Sequence, residues 1–222
     1  MKKLSTILIL LISSQSFAPK EVNFNLYKLL KEDKLIVINR QVELIDSLFN
    51  NYIKISEKNG EGLIWLPFKD FENGTLKIKM RGKNVVQKSF IGIAFRGQNN
   101  NIYDAVYCRP FNFRVKDSVK KIHAIQYVSH PNYTWKRLRE ENNSLYEKEI
   151  INSPNPNEWF TMTVIINKIN VKAYINDSKT PSLDIEKLNN NKNGKIGIFV
   201  GDGSGGDFSV FILDQKWFYR NL

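Results

Sequence analysis

The stretch GKIGIFVGDGSGGDFSVFIL, residues 194–213, decides the fold. Three of its glycines have the G-x-G-x-x-G spacing of a nucleotide-binding loop, which needs a strand before it and a helix after it. The strand is present at 195–200, but 208–213 alternates apolar and polar residues as a second strand does. The pattern therefore predicts a hairpin connection whose glycines supply positive φ angles, and it argues against a nucleotide site.

Two aspartates flank this loop, Asp202 and Asp207. Carboxylates next to free loop carbonyls are ligands that Ca²⁺ prefers. Calcium-binding β-helices need tandem repeats, and Gly205-Gly206-Asp207 occurs once. Calcium at Asp202 and Asp207 is therefore the single metal expectation, and no other cofactor is expected.

Most of the chain alternates apolar and polar residues with the period of a β-strand. Turn-forming clusters of Asn, Gly and Asp separate these runs at a spacing typical of an antiparallel sandwich or barrel. The runs lie at 77–81, 90–96, 103–109, 161–166, 171–175, 182–186 and 208–213. Short helices are expected at 28–34 and 134–141, and residues 19–222 read as a single β-sandwich domain without internal repeats.

The first 18 residues have the three parts of a secretory signal peptide. Lys2 and Lys3 precede an apolar run at 4–12, which is too short to span a bilayer, and a small, polar tail follows. Cleavage is expected after Ala18 or after Ser16, since a proline directly follows Ala18. The mature protein is therefore expected to be exported and to have no membrane span.

The charge of the chain and its cysteine content indicate which partners and which cellular location to expect. The formal net charge is +11, but the lysines are spread along the chain, which is typical of a solvated surface. With export expected, nucleic acid is not a predicted partner. Cys108 is the only cysteine, so no intrachain disulfide can form. For an exported protein, this favours a protein of the bacterial periplasm or cell surface over a small secreted domain that disulfides hold together.

Three stretches resemble the concanavalin A-like lectin/glucanase superfamily. Residues 194–213 are similar to its last strands, FIGIAFRG at 90–97 to a further strand, and 159–183 to its central hairpin. They look most like the bacterial branch with the 3-keto-disaccharide hydrolase domain family. The resemblance covers residues 60–215. It implies an all-β jelly-roll sandwich of two curved antiparallel sheets with one or two short helices, in which sugars lie on the concave sheet.

The resemblance implies that a carbohydrate site lies on the concave face. Alternation along two strands places Arg96, Tyr107 and Arg109 on that face. The segment 123–141 adds aromatic rings for the apolar face of a sugar and polar groups for its hydroxyls, although Trp135 can equally pack onto the sandwich. The predicted ligand-binding residues are Arg96, Tyr107, Arg109, Gln126, His130, Tyr133, Trp135 and Arg137. His123 is interpreted as a strand histidine with a structural partner.

Hydrolysis of a glycosidic bond uses two flanking carboxyl groups. Glucanases of this superfamily carry E-x-D-x-E on one strand, but Ser182 occupies the first glutamate position before Asp184 and Glu186, so that mechanism is not carried over. The catalytic residues are left open. The candidates for acid/base chemistry are Asp104, His130 and Glu140, although neighbouring arginines favour an ion-pairing role for Glu140.

Three functions follow from these observations. The first is an exported lectin-like protein that binds a glycan on its concave face. The second is a glycoside-cleaving enzyme of the 3-keto-disaccharide hydrolase type, and the third is a structural or interaction module without a sugar site. The basic residues hint at an acidic or oxidised glycan.

Overall fold

The computed structural model describes residues 21–48 and 50–215, so the expected signal peptide at 1–18 lies outside the described residues. The helices are α1 (Leu26–Lys31), α2 (Ser118–Lys121) and α3 (Trp135–Glu141), and a 3-10 helix lies at Pro110–Asn112. The strands are β1 (Glu21–Asn25), β2 (Ile36–Ile38), β3 (Val42–Ile45), β4 (Tyr52–Ile55), β5 (Gly62–Trp65), β6 (Gly74–Arg81), β7 (Ile91–Gly97), β8 (Tyr103–Cys108), β9 (Ile125–His130), β10 (Glu147–Lys148), β11 (Phe160–Ile166), β12 (Asn170–Ile175), β13 (Leu183–Glu186), β14 (Lys195–Val200) and β15 (Gly206–Asp214).

Two antiparallel sheets enclose an apolar core. The first sheet has the strand order β13-β12-β11-β6-β15-β4-β3, with β1 also paired to β15. The second sheet has the order β10-β9-β8-β7-β14-β5-β2. Strands that are distant in sequence are neighbours in both sheets, as in a jelly roll. The predicted all-β, two-sheet antiparallel jelly-roll sandwich is confirmed.

The first sheet is fully buried on one face only. Along β11, Phe160, Met162, Val164 and Ile166 are buried, and the three residues between them are partly exposed. This two-residue alternation is typical of a strand with one face on the core. The same alternation in the sequence predicted the strand.

The second sheet is covered on both faces, since β7 and β8 are buried at every residue. One face packs against the first sheet. On the outer face, which points away from the first sheet, aromatic rings form a continuous layer with neighbouring centroids 5.1–6.3 Å apart. In spatial order these rings are Trp65, Tyr103, Phe199, Tyr107, Phe90 and Phe111. A ligand can therefore contact these rings only where loops and helices leave the outer face of the second sheet uncovered.

The helices are short and begin at capping side chains. The expected helices at 28–34 and 134–141 are confirmed as α1 and α3. The sequence did not predict α2, where Oδ1 of Asp117 accepts hydrogen bonds from the backbone N–H groups of Val119 and Lys120. A single turn is too short to show helical periodicity. No helix in the described ranges is long and apolar enough to cross a membrane.

The glycine-rich connection at 201–205 crosses from one sheet to the other. β14 belongs to the second sheet and β15 to the first, so the predicted hairpin is wrong. Gly203 has a φ of +62°, the left-handed conformation that glycine adopts without strain. A Cβ on Gly205 would lie 2.5 Å from the carbonyl oxygen of Ile55, so glycine lets the connection pass close to β4.

A buried guanidinium, that of Arg40, holds this connection in place. It donates hydrogen bonds to the backbone carbonyl oxygens of Asn39, Gly60, Val200, Gly201 and Ser204 at 2.6–3.3 Å. These carbonyls belong to segments far apart in sequence. Arg40 therefore replaces the strand pairing that β14 and β15 do not make with each other.

We expect Arg40→Met to lower the free energy of unfolding by about 2–3 kcal/mol, because buried carbonyls lose their donors while the volume is kept. Urea unfolding measures this change. Arg114→Met is the matched control, since Arg114 is exposed apart from one 3.4 Å bond to the carbonyl of Ser153. That variant should change stability by less than about 0.5 kcal/mol, and an equal loss in both variants would contradict the role of Arg40.

Candidate functional site

A cleft of about 550 Å³ opens on the outer face of the second sheet. Strands β8 and β14, helices α2 and α3, and the loop before β7 all contribute residues to it. Its lining includes Phe90, Tyr107, Phe111, Phe199, Arg109, His123, Arg139, Val86 and Trp135. A concave site with an apolar surface and a few converging polar groups is the usual form of a small-molecule site.

Aromatic rings form the floor of the cleft. Phe90 packs edge-to-face against Tyr107 at 6.1 Å and against Phe111 at 5.4 Å, and Phe199 lies 5.1 Å from Tyr107. Gly92 permits this packing, because a Cβ there would lie 2.5 Å from the Cα of Tyr107. Rigid, mostly buried rings of this kind offer an apolar surface to a ligand at little entropic cost.

A buried carboxylate, that of Glu147 on β10, organises the charged wall of the cleft. Arg139 donates Nε to Oε1 at 2.9 Å and Nη2 to Oε2 at 2.8 Å, which is a bidentate pair. Nη1 of Arg109 lies 3.5 Å from Oε2. Glu147 is only 2% exposed, so protein groups rather than water balance its charge.

Arg109 links this carboxylate to the aromatic floor. Its Nη2 donates to the hydroxyl of Tyr107 at 3.0 Å and also contacts Oε1 of Gln126. The same hydroxyl donates to Oε1 of Gln126 at 2.9 Å. The Tyr107 ring is therefore fixed by packing on one side and by two hydrogen bonds at its tip.

His123 completes the charged wall. Its Nδ1 lies 2.8 Å from Oε2 of Glu147, although the contact is too bent to count as an aligned hydrogen bond. In the described part of the chain, no protein group forms a hydrogen bond with Nε2 of His123, and the side chain lines the cleft. Nε2 is therefore the ring nitrogen that a ligand can reach.

Burial and neighbouring charges set the protonation states in the cleft. Burial tends to raise the pKa of Glu147, but Arg139, Arg109 and His123 outweigh it and hold that pKa below its ordinary value. Burial and the neighbouring Arg139 and Arg109 lower the pKa of His123, Glu147 raises it, and the resulting pKa lies below the ordinary value. Burial also raises the pKa of Tyr107 to about 12. At neutral pH the cleft thus holds an ionised Glu147, a neutral His123 and a neutral Tyr107.

Three of the predicted ligand-binding residues line the cleft: Tyr107, Arg109 and Trp135. Gln126 lies behind them and is fully buried, so it positions Tyr107 and Arg109 rather than facing the cleft. The structure therefore brings together residues from β8, β9 and α3.

His130 lies elsewhere on the outer face. Its ring stacks on Tyr103 at 4.9 Å, and its Nε2 lies 3.5 Å from Oε1 of Glu61. Oε2 of Glu61 accepts a hydrogen bond from the hydroxyl of Tyr103 at 2.6 Å. The carboxylate beside His130 is thus that of Glu61, and Glu140, the other acid/base candidate, does not contact it.

The predicted residues near α3 lie on the solvent side. The guanidinium of Arg137 lies 5.1 Å from the centre of the Tyr133 ring and pairs with Glu141 at 2.9 Å. Glu140 is exposed on the same helix. These residues do not line the cleft.

Two predicted residues lie between the sheets. A register shift between β7 and β14 accompanies a φ of +50° at Arg96, whose guanidinium donates to the carbonyl oxygens of Glu72 and Asn167 near the first sheet. Asp104 is fully buried and accepts a hydrogen bond from Asn189, and burial raises its pKa to about 6. The predicted position of Arg96 at the ligand face is therefore wrong, and Asp104, a candidate for acid/base chemistry, does not line the cleft.

The calcium expectation does not fit the structure. Oδ1 of Asp202 accepts a hydrogen bond from the backbone N–H of Gly60 at 2.5 Å, whereas Oδ2 of Asp207 pairs with Arg81 at 2.7 Å. The two carboxylates therefore serve separate contacts. Within residues 21–48 and 50–215, no group of three or more His, Cys, Asp or Glu side chains is placed to hold a metal ion.

The sequence does not indicate Glu147 or Arg139 as functional residues, and it predicts a structural role for His123. Glu147 lies on a strand of two residues, too short for a periodic pattern, and Arg139 is one of several charges on α3. One usable signal is the density of charged and aromatic residues at 123–141, which contains both His123 and Arg139.

Solved structures of distant proteins share this fold. A Bacillus subtilis protein of unknown function with a galectin-like fold is 10% identical, with a TM-score of 0.58 over 89% of this chain and 98% of that one. The carbohydrate-binding module CBM66 from Bacillus subtilis is 12% identical, with a TM-score of 0.53 over 82% and 92%. Domain 4 of AbnA, a GH43 extracellular arabinanase from Geobacillus stearothermophilus in complex with arabinotriose, is 10% identical, with a TM-score of 0.51 over 88% and 93%.

The sequence itself identifies the family. No curated protein is significantly similar to this chain. The family model of the 3-keto-alpha-glucoside-1,2-lyase-like domain matches residues 31–222, a range that contains the whole cleft. The chain therefore belongs to the family of 3-keto-alpha-glucoside-1,2-lyase-like domains.

Proposed function

We propose that the protein binds a carbohydrate in this cleft and catalyses the 1,2-elimination of a 3-keto glycoside. The observation that carries the proposal is the pair formed by His123 and Glu147, in which a neutral imidazole has one nitrogen at a carboxylate and the other in the cleft. We assign the imidazole proton to Nδ1, because Oε2 of Glu147 lies 2.8 Å from that atom. Nε2 then carries a free lone pair and is a general base.

The reaction needs one base at C2 of the sugar. A ketone at C3 acidifies the C2–H bond, since the resulting negative charge is delocalised onto the ketone oxygen. Nε2 of His123 takes the proton, the C–H electron pair forms the C1=C2 double bond, and the C1–O bond breaks with its electrons on the leaving oxygen. That oxygen takes up a proton, so the products are an alcohol and an unsaturated 3-keto sugar.

Arg139 supplies positive charge for the negative oxygen that develops at C3. Its Nε and Nη2 are fixed on Glu147, its side chain is 34% exposed, and it is one of the residues that line the cleft. A cation held in place before the reaction stabilises a developing oxyanion without reorganisation. Tyr107 and Phe90 on the floor would pack against the apolar face of the sugar ring.

A second candidate is a carbohydrate-binding module without catalysis. The aromatic floor favours it, and the shared fold of the CBM66 module and of the arabinanase domain supports it. Both candidates place the sugar in the same cleft. They differ in whether His123 does chemistry.

A 3-keto α-glucoside and its unoxidised parent, each incubated with the protein, separate the two candidates. Elimination should release the alcohol and produce the ultraviolet absorption of the conjugated product from the 3-keto glycoside alone. Saturable binding in calorimetry without product would favour the binding module. Neither binding nor product would contradict both candidates.

We also propose that the protein acts outside the cytoplasm. The pattern of residues 1–18, which has the three parts of a secretory signal peptide, supports this proposal.

A further inference from the structure

The charges of the residues that form the cleft do not cancel. Outside the wall, two lysines and two acids line the cleft and balance each other: Lys88, Lys120, Glu61 and Asp202. In the wall, the cations Arg109 and Arg139 share the single carboxylate of Glu147, and His123 is neutral at neutral pH. Among the described residues that form the cleft, positive charge therefore exceeds negative charge by one.

This excess charge lies where water screens it poorly. Arg109 and Glu147 are 4% and 2% exposed, and Nε and Nη2 of Arg139 both donate to Glu147. The third nitrogen of that guanidinium, Nη1, forms no hydrogen bond with any group in the described part of the chain, and Arg139 lines the cleft. A partly buried cation with free N–H groups attracts an anion more strongly than a neutral group, because the low local dielectric strengthens the attraction.

A 3-keto sugar becomes an anion when it loses its C2 proton. The C2–H bond breaks, its electron pair forms a C2=C3 double bond, and the carbonyl π pair moves to the oxygen at C3. Nε2 of His123 takes the proton, and the resulting imidazolium lies beside the carboxylate of Glu147. The positive charge of Arg139 is then available to the enolate oxygen.

We infer, on the basis of the proposed function, that the cleft stabilises this enolate before the C1–O bond breaks. The protein then also removes the C2 proton reversibly from 3-keto sugars that have no exocyclic leaving group on C1. Because the cleft is open, the proton on Nε2 exchanges with water before a proton returns to C2 and the ketone forms again. In deuterium oxide the product is the same 3-keto sugar with deuterium at C2, so this exchange is an activity distinct from elimination.

The 3-ketone of 1,5-anhydroglucitol tests the inference, because its C1 carries only hydrogens outside the ring. The ketone acidifies C2–H and C4–H alike, so C4 is an internal reference for exchange that the protein does not direct. In deuterium oxide, followed by proton NMR, the protein should accelerate exchange at C2 about 10²-fold or more over buffer. Exchange at C4 should stay close to its rate in buffer.

Variants of Arg139 test whether its charge stabilises the enolate. Arg139→Met keeps the buried carboxylate of Glu147 paired with Arg109, and C2 exchange should fall about 10²-fold because the enolate oxygen loses its cation. Arg139→Lys keeps the charge and should lose less than about tenfold. Lys136→Met is the matched control, since Lys136 lies on the same helix but outside the cleft lining, and it should exchange C2 at the unmodified rate.

Elimination of a 3-keto glycoside without C2 exchange in the anhydro sugar would overturn the inference and leave the proposed function intact. Equal acceleration at C2 and C4 would also overturn it, because no base is then directed at C2. Unchanged exchange in Arg139→Met would contradict the role of the excess charge. Absence of both elimination and exchange would overturn both proposals.

Discussion

Replacing His123 with glutamine should lower kcat/KM for the elimination of a 3-keto glycoside by about 10²–10⁴-fold. The substitution removes the only imidazole nitrogen that opens into the cleft but keeps a polar side chain of similar length beside Glu147. Product absorption at substrate concentrations well below KM measures the change. Calorimetric affinity for methyl α-glucoside should change much less, since the base acts on the C2 proton and not on the sugar hydroxyls.

His130→Gln is the matched control for this experiment. His130 also lies beside a carboxylate, that of Glu61, but it does not line the cleft. Its replacement should change kcat/KM by less than about threefold. Equal losses in the two variants, or full activity in His123→Gln, would show that His123 is not the base.

The pH profile gives a second readout for His123. The neutral imidazole is the active base, so kcat/KM should rise with pH through a pKa below the ordinary histidine value of 6.5. The carboxylate of Glu147 raises the pKa of His123, and burial and the two arginines lower it. Removal of that carboxylate should therefore move the rise to still lower pH.

Replacing Glu147 with glutamine should lower the free energy of unfolding by about 3 kcal/mol or more at pH 7. Glu147 is 2% exposed and balances Arg109 and Arg139, so a neutral amide leaves two cations together beside the aromatic floor. Glutamine keeps the shape of the side chain, which separates the loss of charge from the creation of a cavity. Urea unfolding followed by tryptophan fluorescence measures the loss.

Glu141→Gln removes a carboxylate from an exposed ion pair with Arg137 on α3 and is the matched control. It should cost less than about 0.5 kcal/mol. Folding lowers the pKa of Glu147 below its ordinary value of 4.5. The stabilisation that its carboxylate gives the folded state is therefore fully present above pH 4.5 and is lost as the pH falls through the lowered pKa. Glu147→Gln should therefore flatten the acid side of the stability curve, and an unchanged curve would contradict the assigned role.

Much of the fold could be predicted from the sequence, because the longer half-buried strands each have a local pattern of alternation. The run at 161–166 alternates buried and partly exposed residues, and it forms β11 with one face on the core. The helix at 134–141 has a capping threonine and becomes α3. The sequence did not predict α2, because a single helical turn shows no periodicity.

The candidate site was predictable only in part. Alternation in β8 identified Tyr107, and the aromatic and charged segment 123–141 identified Trp135, and both line the cleft. Alternation failed at Arg96, where the register shift and the positive φ turn the side chain toward the first sheet. The carboxylate that organises the wall, Glu147, has no local signature, since its role depends on Arg109, which directly follows β8, and on Arg139 from α3.

The sequence alone determined where the longer strands lie, because side-chain alternation is a local property of a half-buried strand, whereas the two-sheet sandwich was implied by the resemblance to a known family. It also showed that the stretch at 194–213 is two strands and not a nucleotide loop. Only the tertiary structure decided that these two strands belong to different sheets and that Arg40 joins them. It also decided that His123 meets Glu147 at a cleft, because pairing between β9 and β10 brings together residues that no local pattern connects.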